Sequence, residues 1–348
     1  MAMMKAAFYD GNGTMTLGEY PRPEVGPGDA IVRIRSTGIC GSDLQVKADQ
    51  KEADESPVGH EVAGEVVAVG EGIEEDLLGT RVAIETIGHG RACLRCWYCR
   101  MGQYKQCRSM AAPEGGGFAE YIKRKAWGCY PLPDNLTWEE AALVEPFAVS
   151  VHGVRRGQLI GGETVVVLGA GNIGLTAVAA ARALGAGTIF VTARHEQQAT
   201  LAKQLGADHA FAPDDPALND AIMDATQGLG ADLTVETVGG WRPDPITQAI
   251  EITRQQGRFV VIGGYRTPIT VDWLPPMMKE QTIVFSSCYG IINGKHDYEV
   301  AIDLMASGRV DLKPMVTHIY SLDDIQQGFA TAYDKTTGSV KVQIHQGG

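Results

Sequence analysis

The 348-residue sequence has no run of about 18 apolar residues, the length that a membrane-spanning helix needs. Its first residues also lack the basic, apolar and small-residue order of an export signal. These two absences argue against an integral membrane protein and against an exported one. We therefore expect a cytoplasmic protein.

Positive charge is scarce, since Lys and Arg total 30 against 42 Asp and Glu, and the formal net charge is −12. Such a surface does not attract DNA, RNA or anionic lipid, so we expect neither nucleic acid nor membrane as a partner. The chain also has no fixed-period repeat and no disordered tract. Its length is sufficient for two domains, each with its own core.

The seven cysteines are an odd number, which in a chain without an export signal argues against a disulfide framework. Four of them have the spacing C-x2-C-x2-C-x7-C, namely Cys93, Cys96, Cys99 and Cys107. Thiolates this close match a closed tetrahedral zinc site with a structural role. Reactive surface thiols are one alternative. An iron–sulfur cluster is another, but the usual bacterial spacing ends in Cys-Pro, and here Arg108 follows the last cysteine. We expect Cys129 and Cys288 to be ordinary buried residues.

Short strand-like segments separated by Gly and Pro dominate residues 1–150. They include Lys5–Tyr9, Ala30–Ser36, Gly64–Gly70 and Arg81–Glu85. Segments rich in valine and isoleucine, bounded by turn residues at this spacing, predict a partly open antiparallel β domain.

From Glu163 onward, strand-like and helix-like patterns alternate. The predicted strands are Thr164–Leu168, Thr188–Thr192, His209–Phe211, Asp232–Glu236 and Arg258–Ile262, and Thr282–Ser287 is a candidate sixth. The predicted helices between them are Ile173–Leu184, Gln197–Leu205, Ala217–Thr226 and Ile246–Arg254. This alternation predicts an α/β domain with a doubly wound parallel sheet.

The end of the chain is expected to return to the first domain. A helix is predicted over Asp297–Ser307 and a final strand over Ser339–Ile344. We therefore predict one domain formed by residues 1–150 and 289–348, with a second domain inserted at residues 151–288.

A G-x-G-x-x-G motif, formed by Gly169, Gly171 and Gly174, follows an apolar strand-like segment and opens a helical pattern. In this setting the first glycine makes the turn, the second lets the backbone approach a pyrophosphate, and the third permits close packing. The N–H groups of the first helical turn then face the phosphates. The motif predicts a dinucleotide site that includes Asn172 and Ile173.

Further cofactor contacts are expected at the carboxyl ends of the later strands, where an open parallel sheet binds its ligand. The candidates are Val238, Gly239, Ile262, Gly263, Ser286 and Ser287. Trp241 and Arg242 follow the fourth strand of this domain. We interpret Trp241 either as a packing residue or as one that shapes the substrate cleft.

Four residues outside the cysteine loop could hold a second metal ion: Cys40, His60, Glu61 and Glu145. Each has a simpler interpretation when taken singly. A lone cysteine is more often a core residue, and the Gly-His-Glu segment could be a turn. Glu145 could place its charge near the amino end of a helix that starts at Pro146.

Motifs along the whole chain favour the metal-binding interpretation of these residues, because together they resemble those of the zinc-dependent medium-chain alcohol dehydrogenases. They are GICGSD at 38–43, GHE at 59–61, the four-cysteine loop, GGFAEY at 116–121, EPFAVSVHG at 145–153 and VVVLGAGNIG at 165–174. The segment at 145–153 is similar to the polyol, threonine and butanediol branch, in which glutamate replaces a second cysteine. The resemblance implies a GroES-like catalytic domain, a Rossmann cofactor domain and an active site between them.

The resemblance also implies roles for individual residues. Cys40 and His60 would bind a catalytic zinc, and Glu61 and Glu145 would share the remaining protein position or hold a metal-bound water. Asp43 would orient His60 and fix its tautomer. The zinc would act as a Lewis acid, so that the alcohol loses its proton near neutral pH and gives a hydride to the nicotinamide.

Ser42 is the expected first proton acceptor, but beyond it the chain departs from the family pattern. Many relatives have a histidine three residues later, whereas this chain has Gln45. An amide does not titrate, so the relay must end in the ribose hydroxyl and water, or in another base. The loop that follows is expected to influence specificity through its charged residues, which are Lys47, Asp49, Lys51, Glu52, Asp54 and Glu55.

The end of the second strand of the inserted domain bears on the choice of cofactor. Compared with the family pattern, Ala193 stands where an acid would accept the ribose hydroxyls of NAD, and Arg194 and His195 follow it. Without the carboxylate a 2′-phosphate is not repelled, and a guanidinium can bind it. This favours NADP(H) over NAD(H), although Arg194 could instead be a solvated residue of the next helix.

We therefore expect an enzyme with two zinc ions per chain that oxidises a secondary alcohol or polyol, or reduces the ketone, with NADP(H) or NAD(H). One alternative is a zinc-free enone or quinone reductase of the same superfamily. Another is a non-catalytic protein that binds a nicotinamide cofactor and the structural zinc. The resemblance implies a homodimer or homotetramer, with Thr282–Ser287 as an edge strand for pairing.

Overall fold

The computed structural model describes residues 2–44 and 52–347. The chain forms two compact units. Unit 1 comprises Met1–Glu145, Gly290–Ala306 and Lys313–Gly348. Unit 2 comprises Pro146–Tyr289 and Ser307–Leu312. Among the described residues, none of the helices has both the length and the apolar character needed to cross a membrane.

The secondary structure is as follows. The strands are β1 (Met3–Tyr9), β2 (Met15–Pro21), β3 (Asp29–Gly38), β4 (Glu61–Val69), β5 (Arg81–Glu85), β6 (Tyr121–Lys125), β7 (Cys129–Pro131), β8 (Thr164–Leu168), β9 (Thr188–Thr192), β10 (His209–Phe211), β11 (Ala231–Glu236), β12 (Thr253–Val261), β13 (Thr282–Phe285), β14 (Ile291–Ile292), β15 (Lys295–His296), β16 (Val316–Ser321) and β17 (Lys341–His345). The α-helices are α1 (Gly41–Leu44), α2 (Trp97–Arg100), α3 (Trp138–Ala141), α4 (Val144–Arg156), α5 (Asn172–Ala183), α6 (Glu196–Gln204), α7 (Ala217–Ala225), α8 (Asp244–Ile252), α9 (Leu274–Met278), α10 (Asp297–Ala306) and α11 (Ile325–Tyr333).

The main sheet of unit 1 has the strand order β16, β17, β3, β4, β5, β7, and β6 also pairs with β3. The pairs formed by β3, β4, β5, β6 and β7 are antiparallel, as predicted for the first 150 residues. The final strand returns to this sheet, since β17 pairs antiparallel with β3. One pair was not foreseen: β16 and β17 are parallel. They can be parallel because α11 provides the crossover between them.

The core of unit 1 comes from the alternation of apolar side chains along these strands. Val32, Ile34, Val62, Ile84 and Ile122 pack in one buried cluster, each with at most 2% of its surface exposed. Because strand side chains alternate between faces, residues at spacing two share this core face. This buried face anchors the sheet from which the loops of unit 1 extend.

Unit 2 has the predicted doubly wound sheet, with the strand order β10, β9, β8, β11, β12, β13. Each pair of neighbours is parallel. All five residues of β8 are buried, as expected for a central strand covered on both faces by helices. The order of strands reverses between β8 and β11, which is where folds of this class bind their ligands. The candidate sixth strand is present as β13, and it forms the edge of the sheet beside β12.

The two lone cysteines differ from each other. Cys129 is buried in the core of unit 1, as expected. Cys288 is only half-buried, so the expectation of a core residue is wrong there. The reason is its position, beyond the end of the edge strand β13 and outside the sheet.

Candidate active site

Neighbouring strands of unit 1 bring the predicted catalytic ligands together. β3 and β4 pair antiparallel with Gly38 opposite Glu61, so the carboxyl end of β3 meets the amino end of β4. Cys40 follows β3, and His60 immediately precedes β4. The ligand atoms of Cys40, His60 and Glu61 all lie within 4.8 Å of one another.

Asp43, in the short helix α1, lies beside two of these residues. Its Oδ2 accepts a hydrogen bond from the Cys40 N–H at 2.9 Å, and its Oδ1 lies 3.7 Å from Nδ1 of His60. Burial raises the pKa of Asp43. Burial alone would lower the pKa of His60, but the negative surroundings of its ring, first Asp43 and then Cys40 and Glu145, raise that pKa well above its ordinary value. The pocket therefore favours positive charge, as a cation site requires.

Lys341 is a part of this site that sequence reasoning missed. It is fully buried in β17, and its Nζ lies 2.7 Å from Oε1 and 2.6 Å from Oε2 of Glu61, with a further bond to the Ile39 carbonyl at 3.1 Å. Burial alone would lower the pKa of Lys341, but Glu61 outweighs it and the pKa is raised. The amine is therefore charged and neutralises Glu61. The sequence gives little signal for it, since Lys341 stands in a strand where polar residues alternate with Val342 and Ile344.

The other two predicted catalytic positions differ in exposure. Glu145 lies in the first turn of α4 and is 5% exposed. It is not part of the 4.8 Å group, but its charge raises the pKa of His60, which places it near that ring. Ser42 is exposed in α1. Gln45 and the charged positions Lys47, Asp49 and Lys51 lie outside the described residues.

The four-cysteine loop has the geometry of a tetrahedral metal site. The sulfurs of Cys93, Cys96, Cys99 and Cys107 all lie within 4.8 Å of one another. Sγ of Cys99 is 3.5 Å from that of Cys96 and 4.0 Å from that of Cys93. Tetrahedral zinc with bonds of about 2.3 Å places its sulfurs about 3.8 Å apart. Backbone hydrogen bonds from Arg108 and Cys99 lower the pKa of Cys96 to about 6, which favours its thiolate. Burial raises the pKa of Cys99 to about 12, so the geometry of the four sulfurs is the stronger indication of a metal site. The donor set therefore fits zinc.

The glycine motif of unit 2 has the predicted strand–turn–helix geometry. Gly169 follows β8 with φ of +94°, and its N–H donates to the Thr192 hydroxyl at 2.8 Å. A Cβ on Gly174 would lie 1.8 Å from the Gly169 carbonyl oxygen, so the helix can pack this closely only on glycine. A Cβ on Gly171 would meet nothing within 4 Å. The space beside Gly171, at the start of α5, is what a pyrophosphate needs.

A cavity of about 710 Å³ opens beside this motif, within unit 2. Gly169 and Gly171 form one wall, Arg194 follows β9, and Val238 follows β11. Residues of the Thr237–Arg242 segment complete the wall, so Trp241 belongs to this cavity. Its interpretation as a residue that only packs does not hold, because 58% of its surface is exposed.

The remaining predicted cofactor residues lie at strand ends and helix starts of the same unit. Asn172 and Ile173 open α5, while Ala193 is buried after β9 and His195 precedes α6. Four others follow β12 and β13: Ile262, Gly263, Ser286 and Ser287. Glu236, which was not singled out from the sequence, shapes the neighbouring turn by accepting bonds from Val238 N at 2.6 Å and Gly239 N at 2.8 Å.

The fold and these sites together define a class, the zinc-binding dehydrogenases that use a nicotinamide cofactor. Two family models match the chain, "Alcohol dehydrogenase GroES-like domain" over residues 26–134 and "Zinc-binding dehydrogenase" over residues 172–307. Sorbitol dehydrogenase of Bacillus subtilis is 33% identical over 98% of this chain and 97% of its own length.

Solved structures agree. An alcohol dehydrogenase from Escherichia coli CFT073 complexed with NADH has a TM-score of 0.87 and 25% identity, covering 99% of this chain and 100% of its own. A zinc-binding dehydrogenase from Sinorhizobium meliloti 1021 bound to NADP has a TM-score of 0.85 and 27% identity, covering 99% and 100%. The chain belongs to the zinc-dependent medium-chain alcohol dehydrogenase family, and it is an NAD(P)-dependent oxidoreductase that acts on alcohols.

Proposed function

We propose that Cys40, His60 and Glu145 hold the catalytic zinc, while Glu61 serves as the counter-ion of Lys341. The observation that carries this assignment is the contact of both Glu61 oxygens with the buried Lys341 amine. A carboxylate engaged in this way would have to leave a buried cation uncompensated in order to bind a metal, which is costly. A second zinc is proposed at the four-cysteine loop.

The chemistry follows from this arrangement. Zinc supplies a Lewis acid that lets an alcohol lose its proton near neutral pH, and the nicotinamide supplies the hydride acceptor. Asp43 holds the Cys40 backbone by a hydrogen bond before substrate arrives, and its charge lies beside the His60 ring. Ser42 is exposed two residues from Cys40 and can accept the alcohol proton.

Chelation tests this proposal. Removal of zinc should abolish hydride transfer but leave cofactor binding intact, because the cofactor residues lie in unit 2 and the catalytic ligands in unit 1. Restoration of activity by added zinc is the expected control. Full turnover in zinc-free protein would overturn the proposal and favour the alternative of a zinc-free enone or quinone reductase.

The substrate class is proposed to be secondary alcohols and polyols, with the corresponding ketones in the reverse direction. Its support is the similarity to sorbitol dehydrogenase across nearly the whole chain. A panel of polyols, diols and aminocyclitol-like alcohols, each tested with both cofactors, measures this directly. Failure of every alcohol and ketone, in a protein with both zinc ions and bound cofactor, would favour the non-catalytic alternative.

The cofactor is proposed to be NADP(H). Arg194 and Arg242 both line the 710 Å³ cavity, and neither side chain has an ion pair within the described part of the chain. Two unpaired guanidinium groups suit a 2′-phosphate. Asp214 and Asp244 line the same cavity, and carboxylates suit the ribose hydroxyls of NAD(H).

Comparison of kcat/KM for the two cofactors therefore decides between NADP(H) and NAD(H). We expect a higher value for NADP(H), and a selective loss for NADP(H) in Arg194→Ala and Arg242→Ala. Lys203→Ala, which removes one exposed positive charge of unit 2 outside the cavity, is the matched control. A higher value for NAD(H) in the wild-type protein would contradict the proposal.

The chain is proposed to form a homodimer or homotetramer through the β13 edge. This edge strand is next to an exposed apolar surface in unit 2 that includes Trp273, Leu274, Met277, Met278 and Phe285, each more than half exposed. An unpaired edge with apolar neighbours is a template for strand pairing between copies.

A further inference from the structure

A third cluster of ligating side chains lies in unit 1, and it shares no residue with the four-cysteine loop or with the Cys40–His60 site. One ligand atom from each of Glu85, His89 and His296 lies within 4.8 Å of the other two. Glu85 ends β5, His89 follows in the next turn, and His296 ends β15 more than two hundred residues later. The fold therefore brings together residues from two distant segments of the chain.

Glu85 is 1% exposed, and its two carboxylate oxygens differ in their surroundings. Oε1 accepts hydrogen bonds from the backbone N–H groups of Gly88 at 2.9 Å and His89 at 2.5 Å. Oε2 has no hydrogen-bond partner among the described residues. A buried carboxylate oxygen without a partner is costly, so it calls for a cation or a proton close by.

The distance from Oε2 to Nε2 of His296 is 3.4 Å. This is longer than an ordinary N–H···O hydrogen bond of about 2.7–3.2 Å. It does match the separation of two ligands on one tetrahedral metal ion, which is about 3.4 Å for bonds of about 2.1 Å. The two atoms are therefore placed to share a cation better than to bond to each other.

Both imidazole rings are held in position by their neighbours. The His89 ring stacks on Tyr104 with centroids 3.9 Å apart, and its Nδ1 lies 2.8 Å from the Tyr130 hydroxyl. The His296 ring lies 5.0 Å from that of Tyr130 and 5.8 Å from that of His89. Contacts that fix the rings behind the ligand atoms are typical of metal sites.

One contact must change for a metal to bind. The Tyr298 N–H lies 3.2 Å from Nδ1 of His296, and in that arrangement a neutral ring carries its proton on Nε2. A cation at Nε2 takes the place of this proton, which moves to Nδ1 and displaces the hydrogen bond from the Tyr298 amide. The contact is at the long limit of hydrogen bonding, so little is lost when it opens.

We propose that Glu85, His89 and His296 form a third metal site, selective for a divalent ion of the zinc type. Two imidazoles and one carboxylate are borderline ligands that suit zinc and its first-row neighbours better than calcium or magnesium. A bound ion would tie the segment Gly290–Ala306 to the end of β5 within unit 1. The site shares no ligand with the proposed catalytic zinc, although Glu85 stands opposite Glu61 in the pairing of β4 with β5.

Metal counting on the intact protein tests this site. Protein stripped with a chelator, reloaded with zinc and desalted should contain three zinc ions per chain by mass spectrometry. His89→Gln and Glu85→Gln should each contain one fewer than the wild type. His318→Gln, which removes a histidine outside the cluster, should retain all three. His89 is the preferred position because it is only partly buried.

Equal zinc content in the wild type, His89→Gln and Glu85→Gln would overturn the third site. The two proposals remain distinguishable, because absence of the catalytic zinc would lower the count by one in every protein of the series. A melting temperature and a circular dichroism spectrum like those of the wild type show that a variant has lost the ion and not the fold. If Glu85→Gln does not fold, the zinc content of His89→Gln compared with that of His318→Gln still tests the third site.

Discussion

Lys341 is completely buried and places its amine against both carboxylate oxygens of Glu61. The two residues are 280 positions apart, and they meet because β17 lies beside β3 and β3 beside β4. A sequence shows neither this adjacency nor the depth of burial. At the scale of single residues, the structure therefore adds a charge pair that the Gly-His-Glu motif alone could not reveal.

Lys341→Met is expected to destabilise the protein by about 3–5 kcal/mol, because it leaves the Glu61 carboxylate buried without its partner. Urea denaturation, followed by circular dichroism, measures this loss. The double variant Lys341→Met with Glu61→Gln removes both charges and should recover most of it. A single variant as stable as the wild type would show that the pair does not hold Glu61.

Ser42→Ala is expected to lower turnover by about 10²-fold, the lower end of the effect of a positioned proton acceptor. Zinc content should be unchanged, since the serine is not a ligand. Turnover equal to that of the wild type would remove Ser42 from the proton route.

At the scale of elements, the glycine motif shows which parts of the cofactor site can be predicted from the sequence. The strand Thr164–Leu168 and the turn at Gly169 were predicted with the bounds that the structure has, since buried β-branched residues followed by glycine have few other solutions. Glu236 and Trp241 were harder to interpret. Their roles depend on how the turn after β11 folds. Because an irregular turn has no sequence periodicity, the positions of its side chains cannot be predicted from a pattern of residues.

Substitution by alanine should have different effects at Gly174 and at Gly171, the first on stability and the second on cofactor binding. Gly174→Ala should lower the melting temperature even without cofactor, because its Cβ would lie 1.8 Å from a carbonyl oxygen. Gly171→Ala should melt like the wild type, since its Cβ meets nothing within 4 Å, yet bind the cofactor at least about 10-fold more weakly. Thermal melts and fluorescence titration with NADPH measure both. Equal behaviour of the two variants would contradict the assignment.

At the scale of the whole molecule, the confirmed predictions are those that rest on many residues at once. The change from strand-rich to alternating patterns predicts the fold class, and the combination of motifs predicts the family. The parallel pair of β16 and β17 was not foreseen because it depends on the path taken by α11. The third metal cluster was not foreseen either, since Glu85 and His296 become neighbours only through the tertiary structure.

Phe285→Asp is expected to halve the mass of the assembly at micromolar concentration, from dimer to monomer or from tetramer to dimer, because it places a charge on the β13 edge. Light scattering after size-exclusion chromatography gives the mass. Leu229→Asp changes an equally exposed apolar residue of the same unit away from that edge, and it should leave the mass unchanged. A mass equal to that of the wild type in Phe285→Asp would place the interface elsewhere.

The catalytic zinc at Cys40 is tested most directly by comparing zinc content and turnover in Cys40→Ser and in Cys129→Ser, a buried cysteine outside the site. We expect Cys40→Ser to lose one zinc ion per chain relative to the wild type, to bind NADPH normally and to have turnover reduced by at least about 10³-fold. Cys129→Ser should keep its zinc and its turnover. A Cys40→Ser protein with wild-type zinc content, or with wild-type turnover, would show that Cys40 does not hold a catalytic zinc.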